Sequence, residues 1–141
     1  MDEPVAIRNL KRLAADRVDP RGIQIPCAPA RPDRVAIIGS GPAGLSCAYH
    51  LARKGFRSTI FEALSQPGGM LRVGIPAHRL PREVLSQEIE VVTHLGVEIK
   101  LNTALGRDLT IDDLFRKASE KLTDPEADAD LDPRDPPRSN P

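Results

Sequence analysis

The stretch RVAIIGSGPAGL, residues 34–45, decides the fold of this chain. It reads as a short apolar strand that runs into a G-x-G-x-x-G turn and then into a helix. In such a turn, Gly39 leaves the strand sharply, Gly41 lets the backbone approach a ligand, and Gly44 lets the helix pack close to the strand. The helix start offers unpaired N–H groups and a positive dipole end, and Pro42 suits the first turn. The stretch therefore predicts a pyrophosphate-binding turn.

The residues after the turn support this interpretation. A helix is predicted from about Pro42 to Lys54, ended by Gly55, and a second strand follows over residues 56–61. Glu62 then stands about 20 residues beyond the glycines, where a carboxylate can accept hydrogen bonds from ribose hydroxyls. The alternatives are a chance glycine loop and, for Glu62, a solvated strand end.

Composition excludes several classes of function. The chain has 141 residues with 20 basic and 20 acidic side chains, and this balance gives no electrostatic case for nucleic acid. No long apolar run predicts a membrane span, and no secretory signal is visible. Cys27 and Cys47 form neither a redox pair nor a metal-ligand set, so we expect a free thiol and a core residue, respectively, in a cytoplasmic protein. No catalytic constellation and no metal site emerge.

The chain divides into four predicted parts. Residues 1–18 form an N-terminal helix, with an apolar stripe that needs a partner, and residues 19–32 form a Pro-rich linker. Residues 33–118 form a compact domain. Residues 119–141 are acidic and proline-rich, and we expect this tail to be disordered because it has too few apolar side chains to bury.

Within residues 33–118, further elements follow the second strand. A helix is predicted from near Pro81 to Leu95, with Val84, Leu85, Ile89, Val92 and Leu95 on its buried face. Residues 97–101 alternate as a half-buried strand, and residues 110–113 resemble a capping box that opens a helix ending near Ala118. Three strands and their helices predict an α/β fold with an incomplete Rossmann-like parallel sheet.

A second glycine-rich segment, residues 67–81, carries a more specific pattern. Residues 68–76 read GGMLRVGIP, and RLP follows at residues 79–81. Together with the first turn and Glu62, these residues resemble the family of NAD(P)H-dependent FAD oxidoreductases that includes the small (beta) subunit of glutamate synthase. The resemblance covers about Pro4 to Lys117.

The resemblance implies that the dinucleotide is FAD, with the second loop running along the flavin half of the cofactor. Gly68 and Gly69 would offer a close backbone, Leu71 and Ile75 apolar contact for the rings, and Arg79 a positive charge for phosphate. The residues expected to bind the cofactor are Gly39, Ser40, Gly41, Pro42, Ala43, Gly44, Glu62, Ala63, Gly68, Gly69, Leu71, Gly74, Ile75, Arg79 and Leu105. Among them, Glu62 and Ala63 would lie at the adenosine ribose and Leu105 near the adenine.

The resemblance implies hydride transfer from NAD(P)H to the flavin, followed by electron transfer to iron–sulfur clusters or to a partner, such as a larger reductase or a glutamate synthase-type subunit. This sequence contains no second dinucleotide fingerprint and no cysteine-rich cluster motif, so NAD(P)H and the clusters have no predicted binding residues in it. It resembles a truncated FAD domain that is inactive alone. Two alternatives stay open: the NAD-binding module of a dehydrogenase, and a fragment that binds no cofactor.

Overall fold

The computed structural model describes residues 5–122, with side chains described through residue 116. In chain order the elements are α1 (Ile7–Asp16), β1 (Arg34–Ile38), α2 (Pro42–Arg53), β2 (Arg57–Phe61), α3 (Met70–Val73), α4 (Arg82–His94), β3 (Glu98–Lys100) and α5 (Ile111–Leu122), with a short 3₁₀ turn at Pro20–Gly22. These elements are the predicted ones, apart from the 3₁₀ turn and α3, which is a single turn inside the second glycine loop.

The three strands form one parallel sheet in the order β1-β2-β3. Ile37 pairs with Ile60, and Ile60 pairs with Ile99, so one apolar row crosses the sheet. The connections β1-α2-β2 and β2-α4-β3 are the crossovers that parallel strands require. The predicted α/β fold with a Rossmann-like parallel sheet is confirmed.

The core lies between one face of this sheet and the two crossover helices. Its buried members are Ile37, Leu45, Ala48, Ala52, Ile60, Leu85, Ile89, Val92 and Val97. The opposite face is more open: Ile38 on β1 is 49% exposed. There Thr59 donates a hydrogen bond to Glu98 (3.2 Å), and the Lys100 ammonium lies 6.0 Å from the Phe61 ring centroid.

Two predicted core residues are not in the core. Cys47 is exposed on α2, because the buried positions of that helix are Leu45, Ala48 and Ala52, and residue 47 points away from that stripe. Val84 is 41% exposed, since α4 turns Leu85 inward instead. Cys27 is exposed and free, as expected.

The segment before β1 is attached to the domain at defined points. Ala28 N–H donates to the Arg53 carbonyl (2.9 Å), and Arg31 N–H donates to the Gly55 carbonyl (2.8 Å). The Arg31 guanidinium lies 4.5 Å from the centre of the Phe56 ring. Further upstream, the apolar stripe of α1 stays exposed, with Leu10 at 55%.

The predicted capping box opens α5. Thr110 Oγ1 accepts from Asp113 N–H (3.1 Å), and the Asp113 carboxylate accepts from Thr110 N–H (3.1 Å). The helix continues to Leu122 and not only to Ala118, so residues 119–122 of the expected tail are helical. The rest of that tail, residues 123–141, lies outside the described residues.

Candidate functional site

The site begins where β1 ends. Gly39 continues the ladder, since its N–H donates to the Phe61 carbonyl (2.8 Å), and its φ of 90° then turns the chain out of the sheet. A Cβ on Gly44 would stand 1.9 Å from the Gly39 carbonyl oxygen. The start of α2 can therefore approach the strand this closely only with glycine at position 44.

Gly41 differs from both of its neighbours in the motif. Its φ is −70°, which any residue adopts, and a Cβ built on it would meet no atom of the described residues within 4 Å. The open space beside Gly41 is bordered by the first turn of α2, with Pro42 and Ala43 exposed at its surface. The N–H groups of that turn have no helical partner, so the space suits an anion.

The second glycine loop lies directly against the first. A Cβ on Gly69 would come within 2.8 Å of the Gly41 Cα atom, so the two backbones touch at these glycines. Gly68 N–H is shared between the carbonyl and hydroxyl oxygens of Ser40, each 3.1 Å away. The structure thus joins two segments that lie about 28 residues apart in the sequence.

Glu62 holds this junction from the end of β2. The carboxylate is only 6% exposed, and its Oε2 accepts from Ser40 N–H (2.8 Å) and from the Ser40 hydroxyl (2.5 Å). Its Oε1 accepts from Leu64 N–H at 2.8 Å. The sequence predicted Glu62 as a ribose ligand, but no sequence pattern indicated these protein contacts.

The charge of Glu62 follows from this surrounding. Burial alone would raise the pKa of the carboxyl, but hydrogen bonds from the Ser40 hydroxyl and from the backbone N–H groups of Leu64, Ser40 and Ala63 outweigh it. The pKa of Glu62 therefore lies below its ordinary value. The side chain is an anion at neutral pH, and its negative charge disfavours a phosphate group beside it, such as the 2′-phosphate of a ribose.

Two arginines shape the second loop, and neither is the one predicted to bind phosphate. Arg82 donates to the carbonyls of Leu71 (3.1 Å) and Ile75 (2.9 Å), and Arg72 donates to the Pro67 carbonyl (2.6 Å). Arg79 is exposed, and its guanidinium has no hydrogen bond or ion pair to another described residue, although its backbone N–H donates to the Pro76 carbonyl (2.9 Å). A basic side chain at the start of α4 was the signal that could have indicated Arg82.

The other predicted site residues are spread around this junction. Leu71 packs against the core and lines a groove of about 250 Å³ between α2 and α4. Gly74 is exposed, and its absent Cβ makes room for the Met70 side chain. Ile75 is half-buried, and Ala63 is exposed beside Glu62.

Leu105 belongs to the segment that follows β3. That segment is tied to the residues after β2, because Thr103 N–H donates to the Glu62 carbonyl (2.8 Å) and Asn102 N–H donates to the Leu64 carbonyl (3.0 Å). Leu105 is 38% exposed, and it forms an isolated bridge with Leu109. Leu105 therefore lies at the edge of the sheet where the strands have their carboxyl ends.

Neither a metal-binding cluster nor a membrane-spanning helix is found among the described residues. Within residues 5–122, no group of three or more His, Cys, Asp or Glu side chains is arranged to hold a metal ion. None of the helices in that range has the length and apolar character that crossing a membrane requires.

A glycine turn after β1, a carboxylate after β2 and a parallel sheet define a Rossmann-like dinucleotide-binding domain. The comparison with known families agrees: residues 37–79 match the NAD(P)-binding Rossmann-like domain. The chain is homologous, over about four fifths of its length, to glutamate synthase small chain and related NADPH-dependent oxidoreductase beta subunits. The resemblance to the glutamate synthase small chain and its relatives, inferred from the sequence, is therefore confirmed.

Three relatives illustrate the match. The NADP(+)-dependent formate dehydrogenase subunit beta of Moorella thermoacetica is 49% identical over 82% of this chain and 20% of its own length. The NADPH-Fe(3+) oxidoreductase subunit beta of Geobacter sulfurreducens is 41% identical over 83% of this chain and 18% of its own. The glutamate synthase (NADPH) small chain of Escherichia coli is 41% identical over 79% of this chain and 24% of its own length. The chain thus spans about a fifth of the length of these relatives.

Proposed function

We propose that this chain supplies the FAD-binding part of an NAD(P)H-dependent oxidoreductase. The observation that carries the proposal is the contact between the two glycine loops at Gly41 and Gly69, beside a space that no atom of the described residues fills. A single glycine turn serves either NAD or FAD. The second loop extends the cradle beyond the pyrophosphate, which favours the larger flavin dinucleotide.

The residues present fit each part of the FAD molecule. The α2 N-terminus and Gly41 would hold the pyrophosphate, with Glu62 near the adenosine ribose and the loop from Gly68 to Ile75 beside the flavin. The nonpolar side chain of Ile75 and the backbone of Gly69 would exclude water from that half of the site. FAD, when bound, would supply the hydride and electron chemistry, while the protein positions it.

We propose further that the electrons pass to a partner subunit. The relatives described above are named as subunits, and this sequence contains one dinucleotide fingerprint. In this proposal FAD occupies that fingerprint, so we do not expect these residues to bind NAD(P)H as well. An anaerobic sample of the FAD-loaded chain should keep its visible absorbance after NADPH is added, and rapid bleaching would contradict this division of labour.

A second candidate is an NAD site, because the matched family is described by NAD(P) binding. The ionised Glu62 suits NAD better than NADP, since a carboxylate repels a 2′-phosphate. The same Glu62 suits the adenosine ribose of FAD, so this residue does not separate the two cofactors. Only the second loop favours FAD.

The deciding experiment is to load the purified chain with FAD, remove the excess by gel filtration and record the visible spectrum. We expect flavin absorbance to elute with the protein, and a molar excess of NAD⁺ over FAD of about 100-fold in the loading mixture to leave it unchanged. Colourless protein that binds NAD⁺ in a calorimetric titration would favour the second candidate. Colourless protein that binds neither would contradict both.

A further inference from the structure

Ser40 is the most enclosed polar residue of the site. It is 0% exposed, and it lies between the first two glycines of the turn. Its hydroxyl donates to Glu62 Oε2 (2.5 Å) and accepts from Gly68 N–H (3.1 Å). One side chain therefore contacts the end of β2 and the second glycine loop while it belongs to the first.

Only part of this arrangement needs a serine. The backbone N–H and carbonyl of residue 40, which also reach Glu62 and Gly68, would be present with any residue except proline. The hydroxyl adds a group that donates to a carboxylate and accepts from an amide at the same time. Hydrogen bonds to an ionised acceptor are about twice as strong as neutral ones.

A second buried serine shows that burial alone does not produce such contacts. Ser58 on β2 is 4% exposed, and its hydroxyl has no hydrogen-bond partner among the described residues. Ser58 packs beside the core, away from both loops, and pairs with Val35 across the sheet. It provides a matched control for removing a buried hydroxyl.

We propose that the Ser40 hydroxyl is a positioning group that fixes the two glycine loops against each other and so prepares the site for its cofactor. The proposal rests on the proposed function, because it predicts an effect on FAD binding. With the hydroxyl in place, the loops are already ordered when FAD arrives. Without it, part of the binding free energy is spent on ordering them.

The test compares Ser40→Ala with Ser58→Ala and with Val97→Ala, which weakens the core beside the amino end of β3, at the opposite end of the strands from the loops. FAD dissociation constants are measured by flavin fluorescence well below each unfolding midpoint, where loss of stability alone leaves the affinity unchanged. We expect Ser40→Ala to bind FAD about tenfold more weakly than the wild type, equivalent to about 1.4 kcal/mol. Both controls should stay within about twofold, a difference of about 0.4 kcal/mol.

The outcomes separate the two proposals. If the wild type binds no FAD, the proposed function fails. If the wild type binds FAD and Ser40→Ala binds it equally well, only the role of the hydroxyl is refuted. Should Ser40→Ala fail to fold, Ser40→Cys keeps the shape with a much weaker donor and acceptor. A wild-type affinity in that variant would also refute the proposal, and a clear loss would support it.

Discussion

Substituting alanine separately for Gly41 and Gly44 should separate ligand binding from folding within one motif. At Gly41 the added methyl meets no atom in the described part of the chain within 4 Å, and the backbone φ of −70° suits alanine. Replacing glycine at such a position restricts the unfolded chain, so Gly41→Ala should raise the free energy of unfolding by about 0.4–1 kcal/mol. At Gly44 the methyl would stand 1.9 Å from a backbone oxygen, where ordinary contacts begin at 3.4 Å.

The helix start must therefore move by about 1.5 Å to accept Gly44→Ala. Overpacking of this kind costs roughly 1–3 kcal/mol and occasionally more, and a backbone oxygen cannot rotate away as a flexible side chain would. We expect a loss of at least about 2 kcal/mol. Urea unfolding followed by far-UV circular dichroism measures both variants against the wild type.

For FAD binding, Gly41 should matter more than Gly44, the reverse of their order for stability. At Gly41 the methyl enters the space proposed for the pyrophosphate, and overpacking by roughly 1–3 kcal/mol corresponds to roughly 5- to 150-fold weaker binding. Gly41→Ala should thus be stable and deficient in FAD binding. A Gly41→Ala protein with wild-type affinity would refute the assignment of this space. Destabilisation equal to that of Gly44→Ala would refute the packing argument.

Four other substitutions test the residues around the junction. Arg82→Met removes two hydrogen bonds to loop carbonyls and should lower the free energy of unfolding by about 1–3 kcal/mol, whereas Arg79→Met, on the surface, should change it by less than about 0.5 kcal/mol; equal urea midpoints would contradict this. Gly69→Ala should lower both stability and FAD affinity, because its methyl would lie 2.8 Å from the Gly41 backbone; a neutral effect in both assays would show that the loops can separate freely. Because the pKa of Glu62 is lowered in the folded protein, its stabilising contribution is complete above the ordinary carboxyl pKa and is lost as pH falls through the lower folded value. Glu62→Gln should therefore make the free energy of unfolding fall less steeply as the pH is lowered. An unchanged slope would show that other carboxyl groups determine the loss of stability in acid.

The sequence was a good guide wherever local chemistry determines the outcome. The tight turn at Gly39 and the close approach at Gly44 are confirmed, because strand, turn and helix follow one another within 12 residues. The capping box at Thr110 is confirmed for the same reason, since its two partners lie within one helical turn.

Contacts between segments that are distant along the chain could not be predicted from the sequence. The bonds from Ser40 to Glu62 and to Gly68 depend on how two loops meet, and no periodicity records that meeting. Arg79 was expected to meet phosphate, and nothing in the sequence indicated that Arg82 would reach the loop carbonyls, because that contact depends on how α4 packs against the loop. The exposure of Cys47 was missed because its helix was correctly predicted while its face was not.

The shared hydrogen bonds at Ser40 also have a consequence for how the site opens. The amide protons of Ser40 and Gly68 are both held within this one cluster, although 28 residues separate them. Their exchange with deuterium should therefore report a single cooperative opening event with one free energy. The two loops would then loosen together, so that the cradle is either wholly assembled or wholly released.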